Sequence, residues 1–94
     1  MALVNLVCKV SEVNGVETWV FRHESAELGV RRTEMPFQAE AGVTTRLKWW
    51  MIGNPGGSIK VEVFQGDRLI AKRLRSAIPN TKPAGFDSIP IKPE

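Results

Sequence analysis

Ninety-four residues with 43% apolar and 24% charged content suit one folded domain spanning 1–94 and are too hydrophobic for a disordered chain. Thirteen Lys and Arg against ten Asp and Glu leave a net charge of +3, too small a bias to indicate a duplex-DNA binder by itself. A lone cysteine, Cys8, excludes an intrachain disulfide and suits a reducing, cytoplasmic setting; no apolar run nears the ~20 residues of a membrane-spanning helix, and no signal peptide is expected from the first residues.

Residues 2–10 are expected to form the first strand, with Val4, Leu6, Cys8 and Val10 on one face and Asn5 and Lys9 on the other. The Asn14-Gly15 dipeptide marks a turn into a second strand over 16–23, which predicts a hairpin that pairs Cys8 with Phe21. Trp19 and Phe21 fit either the core side of that strand or a second exposed patch. From Glu24 to Glu34 the alternation lapses, so a crossing loop with a short helical turn is expected there. Residues 35–41 alternate Met35, Phe37, Ala39 and Ala41 against Pro36, Gln38 and Glu40, the pattern of a half-buried strand with Pro36 at its start or edge.

After Gly42 a strand over 43–52 places Leu47, Trp49 and Met51 on one face and Arg46, Lys48, Trp50 and Ile52 on the other. Gly53-Asn-Pro-Gly-Gly57 is expected to be a hairpin loop leading into a strand over 58–65. Gly66-Asp67 fits a two-residue type II′ turn, which pairs Phe64 with Leu69, Val63 with Ile70, Glu62 with Ala71 and Val61 with Lys72. A loop rich in Pro, Asn and Gly follows, and a last extended segment over 86–91 is confined to an edge by Pro90. Seven short strands with regular turn signals predict an antiparallel β-sandwich of immunoglobulin-like architecture, with a small β-barrel second. Leu6, Val20, Phe37, Leu47, Trp49, Val61, Val63 and Ile70 are the expected core.

Residues for catalysis are few. His23 is the only histidine, and a Cys8–His23 dyad fails because the expected register sets them one step out of line. A buried, inert cysteine fits better. One His, one Cys and scattered carboxylates supply no metal set. The Gly-rich 53–58 stretch lacks the Lys-Ser/Thr ending of a phosphate cradle. An enzyme, a cofactor and a metal are therefore not expected.

Trp50 is the informative residue. Its face also carries Arg46, Lys48, Phe64 and Arg73 in the expected register, a mixture of rings and cations with Glu62 in its middle. An exposed Trp flanked by apolar neighbours implies a partner. The expectation is a non-enzymatic binding or assembly module working through a protein partner or self-association. Single-stranded nucleic acid and, by ring stacking, a lectin-like carbohydrate site are the alternatives.

Overall fold

The computed structural model describes residues 2–94. It is all-β, with 77% of residues in strands and no helix, arranged as one antiparallel sheet of six strands that does not close on itself. The strands are β1 (Leu3–His23), β2 (Ala26–Val30), β3 (Glu34–Glu40), β4 (Thr45–Gln65), β5 (Arg68–Ala77) and β6 (Ala84–Ile91).

Two of these, β1 and β4, are each 21 residues long, and both change partners halfway along. The first half of β1 pairs with β3 and with the second half of β4, which in turn pairs with β5. The second half of β1 pairs with β2 and with the first half of β4, which pairs with β6. The sheet thus has two arms, β3-β1-β4-β5 and β2-β1-β4-β6, joined through the long strands.

Both joints are the stretches whose turn residues predict hairpins. The expected hairpin at Asn14-Gly15 and the expected loop at 53–57 are corrected: each is a bend inside a continuous strand. Glu12 (φ 48°) and Gly15 (φ 70°) break the β1 ladder with register shifts between Ser11 and Thr18, and Gly56 (φ 81°) bends β4 alongside. Turn chemistry and bulge chemistry demand the same residues, because both need positive φ and room for backbone. The two bends lie backbone to backbone. A Cβ on Gly53 would stand 2.3 Å from the Gly15 carbonyl oxygen, and one on Gly57 would stand 2.5 Å from it. Strand count therefore falls from the seven expected, while β2 is gained where a loop or helical turn was expected: Glu24 (φ 56°) and Ser25 turn β1 directly into Ala26–Val30.

The Gly66-Asp67 turn forms as expected, with Gly66 at φ 62° and Phe64 opposite Leu69. Beyond it a bulge at Ile70 shifts the register so that Val63 faces Ala71, Glu62 faces Lys72 and Val61 faces Arg73. This moves Lys72 from Val61 to Glu62, and sets Arg73 opposite Val61 in its place.

The inward side chains of both arms make one core containing Leu6, Phe21, Phe37, Leu47, Trp49, Met51, Val61 and Val63. Trp19 and Phe21 belong to it. Trp19 Nε1 donates to the Arg32 carbonyl at 2.9 Å, and Phe21 stacks on Trp49 with centroids 5.1 Å apart. Val20 is corrected to an outward, half-buried position opposite Trp50, and Ile70 lies at the bulge, half-buried against the core. Contacts between arms tie the core together: the His23 ring lies 5.0 Å from that of Phe37, and Trp49 Nε1 donates to Ser76 Oγ at 2.9 Å. Among the described residues no helix is long and apolar enough to cross a membrane.

Candidate binding face

Alternation along each strand leaves the other set of side chains on the outside of each arm, and direct cross-strand partners share a face. On the β2-β1-β4-β6 arm, Val30 faces Val20, Val20 faces Trp50 and Trp50 faces Phe86, so one apolar row crosses all four strands. It is open to solvent: Val30 is 49%, Trp50 46% and Phe86 78% exposed. Ile52, 53% exposed, extends it in the next row between Thr18 and Ala84.

The row on the other flank is Glu27, Arg22, Lys48 and Ser88, followed by Arg46 opposite Pro90. Arg46 lies along the face, donating to Ser88 Oγ at 2.9 Å, and Arg22 donates to the Ser25 carbonyl at 3.2 Å. Lys48, Trp50, Phe86 and Ser88 border a shallow cleft of about 240 Å³ over the β4–β6 pair. Such a surface offers flat apolar rings beside fixed positive charge.

Three of the five expected site residues, Trp50, Arg46 and Lys48, stand together on this face. Phe64 does not. It lies on the outer face of the other arm, half-buried, with Lys9 Nζ 5.1 Å above its ring. Arg73 is corrected: the Ile70 bulge places it opposite Val61, with its side chain exposed at the edge of the core. It reaches across the seam between β5 and β6, its Nε 3.2 Å from Asp87 Oδ2 and its Nη2 donating to the Ser88 carbonyl at 2.9 Å. Ser76 Oγ donates to the same Asp87 oxygen at 2.9 Å while accepting from Trp49, so Arg73 belongs to a structural polar seam.

Phe86, Val20, Val30 and Arg22 are the residues of this face that sequence reasoning missed. The signal for Phe86 was present: buried Ile89 and Ile91 alternate with Phe86, Ser88 and Pro90, which turns Phe86 outward. Its partner strand is far away in sequence, so its adjacency to Trp50 was not readable.

The groups with nucleophilic or acid-base chemistry are engaged elsewhere. Cys8 is fully buried and desolvation pushes its thiol up to about 12. His23 is 7% exposed and sits 2.7 Å from Thr45 Oγ1 through Nε2; burial holds its pKa below the ordinary value, partly offset by Glu24. No group of three or more His, Cys, Asp or Glu is placed to hold a metal ion among the described residues. No known protein family, curated protein or solved structure matches the chain, so this face must be understood from its own geometry.

Proposed function

We propose that this chain is a non-enzymatic binding or assembly module, one β-sandwich domain made by folding a single sheet at the β1 and β4 bends, with the outer face of the β2-β1-β4-β6 arm as its working surface. The likeness to immunoglobulin domains lies in architecture alone and carries no function. The observation that supports the reading is the apolar row from Val30 to Phe86, since rings as exposed as Trp50 and Phe86 on adjacent strands gain nothing from folding and much from a partner. A role without catalysis is supported by a thiol held protonated by burial and a histidine packed between Phe37 and Thr45. The same buried lone thiol supports a reducing, cytoplasmic setting.

Anilinonaphthalene sulfonate, an anionic aromatic dye, tests the surface without knowledge of the partner. The native protein should enhance its fluorescence, and the Trp50→Ala, Phe86→Ala double variant should lose that enhancement with its melting transition nearly unmoved. Equal dye binding by the double variant, or its failure to fold, would remove this face from consideration.

A further inference from the structure

We propose that the outer face of the β2-β1-β4-β6 arm binds single-stranded nucleic acid, stacking bases on Trp50 and Phe86 and setting phosphates along Arg22, Lys48 and Arg46. The proposal rests on the reading of that face as the working surface. Charge decides the class of partner. On the opposite face Lys9 and Lys60 each hold a carboxylate, Glu34 at 3.7 Å and Glu12 at 3.3 Å, and at the seam Arg73 holds Asp87. Among the described residues no carboxylate lies within ion-pair distance of Arg22, Lys48 or Arg46. Glu27, opposite Arg22, is the one acid among the residues paired in these rows. With Glu24, which lines a second cleft beside Arg46 and Lys48, the three cations still outnumber the two acids, and a second copy laid on the face would set that surplus of positive charge against its equal.

The rings narrow the class. Trp50 and Phe86 are direct partners on adjacent antiparallel strands, which puts their Cα atoms about 5 Å apart, and both rings stand free beside the cleft that Lys48 and Ser88 border. Unpaired bases offer flat π-faces joined by a phosphate chain, so one ligand satisfies both features, as on other open four-stranded sheets. A duplex hides its bases and leaves the rings unused. A neutral sugar leaves the three cations unused, and an acidic peptide has no need of two adjacent rings.

Fluorescence anisotropy of a labelled twelve-residue oligothymidylate tests this. Three neutralised phosphates give a log–log salt slope near −2, so affinity should fall about twentyfold from about 50 to 200 mM NaCl. Phe86→Ala and Lys48→Glu should each weaken binding at least about tenfold, while Phe64→Ala on the opposite face should leave it within about twofold. The same probe annealed to its complement should bind markedly less. Absence of binding at low salt, indifference to salt, or equal sensitivity to Phe64→Ala would overturn the proposal. Light scattering on the same variants separates the two levels. Self-association abolished by Phe86→Ala, without oligonucleotide binding, overturns nucleic acid but keeps the working surface. If Phe86→Ala alters neither, both fall.

Discussion

On the outside of the β3-β1-β4-β5 arm the row Glu34, Lys9, Glu62, Lys72 alternates in sign across four strands, beside a row Pro36, Val7, Phe64, Leu69 whose ring lies under Lys9; on the outside of the other arm the central row is Val30, Val20, Trp50, Phe86. The same two long strands supply the middle of both rows. In the ionic row Lys9 holds Glu34 at 3.7 Å and lies over the ring of Phe64, and Glu62 stands opposite Lys72. Its side chains solvate themselves and guard against unwanted association. The apolar row has no such cover. Where one chain builds both surfaces from the same strands, the more open one is the surface we propose for a partner.

The contrast depends first on which side of β4 points inward. Trp49 is fully buried, stacked on Phe21 and bonded to Ser76, so Trp49→Ala should cost about 3–5 kcal/mol in urea unfolding. Were the neighbouring Trp50→Ala the costly change, inside and outside would be exchanged and the comparison would collapse. A somewhat smaller effect is expected at the bends where the two long strands change partners. Gly53→Ala drives a Cβ against the Gly15 carbonyl and the Val16 Cα, where only backbone can yield, and should cost about 1–3 kcal/mol by the same measurement. A neutral result would mean that the bends are looser than the close approach implies.

Acid should act on the end of the core, equally beneath both faces. Because burial depresses the pKa of His23 in the fold, the unfolded chain takes up the proton first as pH drops below about 6.5. Stability should therefore be level above that pH and decline through the window down to the lower folded pKa. His23→Gln, which keeps a polar group near Thr45, should flatten this part of the profile of melting temperature against pH. An unchanged slope would assign the acid sensitivity to other groups. The smallest effects belong to the faces themselves: Phe86→Ala and Lys72→Ala should each change stability by no more than about 0.5 kcal/mol, since neither side chain is held in the core.

Strand interiors were legible because period-two alternation reports facing directly: Leu47, Trp49 and Met51 against Lys48, Trp50 and Ile52 needs no knowledge of the partner strand. Joints were not legible. Asn14-Gly15 and Gly53–Gly57 carry residues that serve a reversal or a bend equally well, and what separates the two outcomes here is the mutual approach of the two segments, a contact between distant parts of the chain. A single bulge at Ile70 turned Arg73 from the outer face to the seam, because an extra residue inverts every facing that follows it. Of the site, Trp50 with Arg46 and Lys48 lay on one strand and could be grouped by alternation. Phe64 was misplaced because it lies beyond the β4 bend, and Phe86 was missed because its neighbour is set by non-local pairing.

Chemical-shift mapping of backbone amides during titration with the single-stranded oligothymidylate tests the contrast between the two faces most directly. Perturbations should gather on residues 18–22 of β1, 46–52 of β4 and 84–88 of β6, and leave Lys9, Glu62 and Lys72 unmoved. Shifts centred instead on the ionic row, or spread evenly over both faces, would contradict the assignment of the open apolar face as the surface this protein uses.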